Sequence, residues 1–182
     1  MLNDRLMQAI TYATVKHDGQ KRKVDRTPYI AHPYRVAMSL KAAGYENDVV
    51  IAGLLHDVVE DTDSTLIEIK DLFGEQIEKL VAYATEPEKT IPWEQRKQHT
   101  IDGIKHAPLA AKLVVCADKI DNLHSILESE RLLGTVMWDS FQRGREDQKW
   151  YYQAVYESLI NGIVEKDTPT LFKQFKRLLD QF

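Results

Sequence analysis

From Val49 to Val59 the chain carries no polar side chain except His56 and Asp57. An apolar run of this length belongs in a core, and a carboxylate buried there without a partner costs several kcal/mol. The fold must therefore bring positive charge to Asp57, and a cation is the economical way to do so. Elsewhere apolar residues recur at helical spacing, as in Leu6, Ile10 and Ala13, and again in Leu72, Ile77, Leu80, Val81 and Ala84. Turn signals at Asp18-Gly19, Thr27-Pro28, Gly44, Gly74, Glu86-Pro87, Pro108 and Thr168-Pro169 divide this pattern. The expectation is an all-α fold of seven to nine helices of modest length.

Two further residues share the logic of Asp57. Asp118 ends the apolar stretch Leu113 to Ala117, and His32 precedes Pro33, which suits the first turn of a helix and places the imidazole at a helix start. Taken singly, each reads as a capping or hydrogen-bonded core residue. Together His32, His56, Asp57 and Asp118 offer a divalent metal two imidazoles and two carboxylates, a set that suits Mn²⁺, Fe²⁺ or Zn²⁺ better than Mg²⁺. His17, His99 and His106 lack a carboxylate companion and read as surface or capping residues. His124 lies six positions past Asp118, swung off its helical face, and is left out of the ligand set.

With 182 residues and 43% hydrophobic content the chain suits one compact domain over 1–182, with the motif-bearing core at about 5–128 and helices at about 129–182. A net charge of −4 and a pI of about 5.9 argue against a broad nucleic-acid surface, so phosphate binding has to be local. No leader-like or membrane-length apolar stretch stands out, and a cytoplasmic protein with no membrane partner is expected. Cys116, the one cysteine, sits among Val114, Val115 and Ala117 and reads as a buried thiol. Ser64 reads as the cap of a helix beginning near Thr65, with Glu68 in its first turn. Thr85 to Trp93, with two prolines and no periodicity, reads as a mobile loop with Lys89 at its centre.

The runs Gly19-Gln-Lys-Arg-Lys23, Thr27-Pro-Tyr-Ile-Ala-His-Pro33, Ala52-Gly-Leu-Leu-His-Asp-Val-Val-Glu-Asp-Thr62, Phe73-Gly74, Arg96-Lys97 and Ala117-Asp-Lys-Ile-Asp-Asn-Leu123 follow one another in a specific order and spacing. In these the chain resembles the HD-domain phosphohydrolases, and within them the hydrolase domain of the RelA/SpoT alarmone enzymes and their small stand-alone relatives. The resemblance implies a Mn²⁺ centre on His32, His56, Asp57 and Asp118, with Glu60 and Asp61 as the acidic pair that positions and deprotonates the attacking water. On a helix continuing from His56, Glu60 would project from the same face as the two candidate ligands.

For the substrate, the resemblance implies that Arg22 and Lys23 contact a guanine base and its phosphates, that Asn122 contacts the ribose, and that Lys89, Arg96 and Lys97 lie on the phosphate side. Two departures from the family pattern stand out: Val24-Asp25-Arg26 is one residue shorter than in some small relatives, and Asp121 stands where an aromatic is frequent. Beyond residue 128, Arg143 and Arg145 read either as a clamp on a distal pyrophosphate or as part of a segment in which Trp150, Tyr151 and Tyr156 pack the last helices onto the core. The activity implied is release of pyrophosphate from guanosine tetra- or pentaphosphate by a Mn²⁺-dependent guanosine 3′,5′-bis(diphosphate) 3′-pyrophosphohydrolase. A nucleotide 2′- or 3′-phosphatase, for example on NADPH, and a non-catalytic nucleotide-binding module are the alternatives. Monomer and homodimer both stay open.

Overall fold

The computed structural model describes residues 4–182, which contain no β-strand, only one isolated bridge between Lys21 and Pro28. Nine helices of eight residues or more form: α1 (Asp4–Lys16), α2 (Ala31–Ala42), α3 (Asn47–Leu55), α5 (Leu66–Phe73), α6 (Glu75–Ala84), α7 (Trp93–Lys105), α8 (Leu109–Leu133), α9 (Arg145–Ile160) and α10 (Thr170–Leu179). A single helical turn, α4 (Val58–Asp61), and two short 3₁₀ segments complete the chain. The all-α expectation and its helix count are met among the described residues. None of these helices is long and apolar enough to cross a membrane.

The centre of the fold is α3, in which every residue from Val49 to Leu55 is buried. A helix that is apolar all round has no solvent face to offer, so it is enclosed, here by α1, α2, α6 and α8. The approach of α2 is made close by Gly53. A Cβ at that position would stand 3.3 Å from Val36 Cγ1 and well inside contact distance of Leu40 Cδ1. Along α8 the buried stretch runs from Ala111 through Asp118 and on to Ile126. Cys116 is fully buried within it, as expected.

The last two helices close the other side of α8. Leu171, Phe172, Phe175 and Leu179 form the buried stripe of α10, which packs on α8 and α9. Tyr152 and Tyr156 meet Phe175 edge to face, with centroids 6.2 and 5.9 Å apart. Tyr151 and Tyr152 are buried, whereas Trp150 remains 44% exposed, so of the aromatic residues expected to pack this segment Trp150 contributes least. Lys112, buried on α8, donates to the carbonyls of Ser158 and Asn161 and so satisfies free acceptors at the C-terminal end of α9.

Two local expectations are corrected. The cap of α5 is Thr65, whose hydroxyl accepts from Glu68 N at 3.2 Å. Ser64 turns inward instead and accepts from the Tyr12 hydroxyl at 2.8 Å. The helix carrying His56 does not continue to Glu60: α3 stops at Leu55, and α4 restarts at Val58.

The packing at Gly53 sets a test with opposite signs at two helical glycines. Gly103 on α7 has open space around its Cβ position, so Gly103→Ala gains about 0.5–1 kcal/mol from helix propensity. At Gly53 the same substitution drives a methyl into the buried Leu40 and Val36 side chains of α2, and overpacking by about 1–3 kcal/mol outweighs the propensity gain. Chemical denaturation of the two variants checks this, with Gly103→Ala shifting the midpoint up and Gly53→Ala shifting it down.

Candidate metal centre and its cleft

The break after α3 builds the centre. His56 and Asp57 occupy the turn between α3 and α4, with φ −58°, ψ −33° and φ −97°, ψ −7°. Both side chains leave the apolar core at its edge rather than along one helical stripe. His32 enters from the first turn of α2, and Asp118 from the buried part of α8. His32 Nε2 and His56 Nε2 lie 3.1 Å apart. Asp57 Oδ2 is 3.4 and 3.1 Å from them, and Asp118 Oδ1 is 3.2 and 3.6 Å from them.

Outer hydrogen bonds decide what these inner atoms can be. His32 Nδ1 donates to Asp121 Oδ2 at 2.6 Å, and His56 Nδ1 donates to the Gly53 carbonyl at 2.8 Å. With each Nδ1 carrying a proton, both imidazoles turn Nε2 toward each other and toward two carboxylates, and each Nε2 offers a lone pair once its own proton is given up. Asp118 Oδ2 is held by Lys119 at 2.7 Å, and Asp57 Oδ2 accepts from the Tyr29 hydroxyl at 2.6 Å. Four donor atoms facing inward need positive charge between them. Ligands about 2.1–2.3 Å from one ion stand roughly 3.0–3.6 Å from each other at octahedral or tetrahedral angles, the spacings that each imidazole keeps to the other and to both carboxylates, although only His32, His56 and Asp118 form one mutually compact group. His32, His56 and Asp118 are all buried, and the donor set fits a divalent cation.

The same charge balance governs titration. Burial alone would lower the His32 pKa, but Asp118, Asp121 and Asp57 outweigh it and hold the imidazole up at about 9. His56 is likewise raised against its burial, chiefly by Asp57 and Asp118. Burial would raise Asp57 and Asp118. The neighbouring imidazoles, together with Lys119 for Asp118, draw both carboxyls well below the ordinary range. Glu60 moves the other way. Burial, then repulsion from Glu86, Asp57 and Asp61, pushes it up to about 7.

Over this centre opens a cleft of about 720 Å³. Asp57, Glu60, Asp61 and Asp118 line its floor, and Arg22, Lys23, Lys89, Arg96, Lys97 and Asn122 line its walls. Residues spread over a hundred positions of sequence are thus brought to one cavity. Arg22 and Lys23 reach it on a hairpin closed by Arg22 N to Thr27 O at 2.9 Å and Tyr29 N to Gln20 O at 2.9 Å. Asn122 faces Asp118 Oδ1 and accepts from Arg22 Nη1 at 3.1 Å. Lys89 pairs with Asp61, while Lys97 pairs with Glu86 and lies over the Tyr151 ring at 4.6 Å.

Several expectations change here. His17 is buried, not superficial; its Nδ1 bonds Gln20, and Gln20 Nε2 donates to the Asp61 carbonyl at 2.7 Å. His99 and His106 are exposed as expected, and His124, left out of the ligand set, is exposed too. The Thr85–Trp93 loop is anchored at Glu86, which is buried. Arg143 pairs with Glu94, Arg145 pairs with Glu130, and neither lines the main cleft. Sequence reasoning missed Tyr29, Glu86, Lys119 and the structural use of Asp121. A lysine directly after a buried aspartate was the one legible signal for Lys119.

The HD domain family profile matches residues 9–136. The chain is 42% identical over 125 residues to the guanosine-3′,5′-bis(diphosphate) 3′-pyrophosphohydrolase MESH1 of Mus musculus, covering 67% of this chain and 69% of that protein. Its structure is similar to a solved protein of Listeria monocytogenes EGD-e, with TM-score 0.77 and 41% identity, covering 82% of this chain and 97% of that one. It is similar also to a metazoan ortholog of SpoT that hydrolyses ppGpp, with TM-score 0.83 and 29% identity, covering 100% and 97%.

Asp121 supplies the test of the centre, because it fixes the His32 tautomer while Arg35 grips it through two bonds of 2.6 and 2.9 Å. Asp121→Asn is expected to weaken binding of a divalent metal about 10- to 100-fold without unfolding the chain. Metal titration followed by calorimetry reads this directly. Because protons and metal compete for the raised imidazoles, wild-type affinity falls as pH drops below about 9, and in Asp121→Asn, which removes one of the groups that raise His32, the fall begins at lower pH.

Proposed function

Because the chain belongs to the HD-domain family, we propose that it is a Mn²⁺-dependent guanosine 3′,5′-bis(diphosphate) 3′-pyrophosphohydrolase. The observation that carries this reading is the convergence of a buried His32–His56–Asp118 group, with Asp57 beside its imidazoles, under a cleft that also holds an acidic pair and a wall of cations. His32, His56, Asp57 and Asp118 would hold the metal. When bound there, a divalent ion lowers the pKa of water and polarises a phosphoryl oxygen.

The rest of the chemistry falls to side chains of this chain. Glu60, with its pKa raised to about 7, is poised to take the proton of the water that attacks the phosphorus next to the ribose 3′ oxygen. The new P–O bond forms as the bond to the ribose 3′ oxygen breaks; that oxygen is the leaving group and takes up a proton to become the 3′ hydroxyl, and the attacked phosphorus departs within pyrophosphate. Asp61 is held on its side-chain oxygen by Lys89 and on its carbonyl by Gln20, which keeps it beside Glu60 to orient the water. Arg96, Lys97 and Lys89 offer positive charge to the phosphate oxygens. Arg22 lies 5.9 Å from the Tyr29 ring centroid at the cleft mouth, where its planar guanidinium can stack on a purine. Asn122 stands between Arg22 and Asp118, within reach of a ribose hydroxyl.

Purified protein given guanosine tetraphosphate with Mn²⁺ should release pyrophosphate, and a chelator should stop it. Phosphate release from NADPH in its place would shift the reading to a nucleotide phosphatase. Tight binding of either compound without turnover would make the chain a nucleotide-binding module.

Glu60→Gln separates catalysis from stability. Turnover is expected to fall about 10²- to 10⁴-fold, as for loss of a general base. Stability moves oppositely. The folded state holds a proton on Glu60 between its ordinary value of 4.5 and about 7, so wild-type stability declines as pH rises through that window. The amide escapes this penalty. In chelator, Glu60→Gln should match wild type near pH 4.5 and melt higher than wild type above pH 7.

A further inference from the structure

Glu86 lies in the loop between α6 and α7, yet it is only 9% exposed. One carboxylate oxygen accepts from Arg96 Nη1 at 2.8 Å, and the other accepts from Lys97 Nζ. The Tyr151 hydroxyl stands 3.5 Å away. Arg96 and Lys97 both line the cleft, so Glu86 occupies the seat between two cations that an incoming anion would otherwise take. Its backbone N–H also donates to Glu60 Oε2 at 3.2 Å. A single residue thus connects the cationic wall to the acidic floor.

We propose that Glu86 is a specificity-determining residue: its carboxylate is a built-in competitor in the Arg96–Lys97 subsite, which admits a multiply charged terminal phosphate or diphosphate and turns away a singly charged phosphodiester. This deepens the reading of the cleft as a phosphate site and rests on it. The reason is charge arithmetic. A carboxylate tethered beside its partners acts at an effective concentration on the order of millimolar or more. A monoanion offers Arg96 and Lys97 no more charge than Glu86 already supplies, and gains nothing by displacing it. A terminal phosphate or diphosphate brings two or more negative charges and several acceptor oxygens to the same pair, and it also repels the carboxylate it displaces. Discrimination arises from a penalty imposed on the wrong ligand as much as from contacts to the right one. Displacement of the Glu86 side chain also loosens the segment whose N–H holds Glu60, so the filled subsite and a free Glu60 carboxylate go together.

Calorimetry on the full chain with inorganic pyrophosphate and with dimethyl phosphate tests this without turnover. Wild type is expected to bind pyrophosphate and to ignore the diester. In Glu86→Gln, pyrophosphate should bind roughly five- to tenfold more tightly, and the diester should become measurable. Unchanged or weaker binding of pyrophosphate by a folded Glu86→Gln protein would overturn the proposal. Should that variant not fold, hydrogen exchange on the wild type decides. Pyrophosphate should speed exchange at the Glu86 amide as it lets go of Glu60, and slowed exchange there would count against the competitor role. A chain that shows these effects but leaves guanosine tetraphosphate intact keeps this proposal and loses the assigned activity.

Discussion

The structure depends on two imidazole nitrogens and two carboxylate oxygens held face to face at the edge of an apolar core. Without a proton or a metal ion between them such atoms repel, since lone pairs and negative charges face one another and burial strengthens the repulsion. What holds them is a ring of outer contacts: Asp121 and the Gly53 carbonyl on the imidazoles, Lys119 and Tyr29 on the carboxylates. The outer partners come from three places: Asp121 and Lys119 from α8, Gly53 from α3, and Tyr29 from the segment just before α2. The helices α2, α3 and α8 must therefore all be in place before the centre exists, and the tight α2–α3 approach at Gly53 belongs to that requirement.

The cleft extends the same accounting outward. Most of its cations already face acids: Lys119 pairs with Asp118, Lys97 and Arg96 share Glu86, and Lys89 pairs with Asp61. A net charge of −4 for the whole chain is compatible with a strongly cationic wall because that wall is local and internally balanced. An anionic ligand enters such a site by exchanging partners, not by filling a reservoir of free positive charge. This keeps the surface field modest while leaving strong, partly desolvated contacts available inside.

Much of this was legible in the residues. The all-α class follows from apolar spacing, and the convergence of His32, His56, Asp57 and Asp118 follows from the cost of burying carboxylates alone. Less legible was anything set by tertiary partners. His17 has polar neighbours in sequence, yet Tyr29 and Gln20 fold over it. Glu86 stands at the start of an irregular stretch in which Pro87 and Pro92 follow it and gives no periodic signal, yet Arg96 and Lys97 pair with it in a buried site. The helix break at His56-Asp57 was masked by the apolar residues on both sides, which read as one continuous helix. Thr65 and Ser64 are both good caps, and only the distant Tyr12 hydroxyl decides which one is free for the role.

The length of α8 has its own consequence. At about 1.5 Å per residue its 25 residues form a rod of roughly 37 Å, and a single rod carries Lys112 under α9, Asp118 at the metal centre and Asn122 at the cleft wall. These three stations are locked in rotational phase. Adding or removing one residue between Lys112 and Asp118 would turn the carboxylate about 100° around the axis relative to the anchored end, away from both imidazoles. The spacing along this rod is as much a part of the chemistry as the identity of the residues on it.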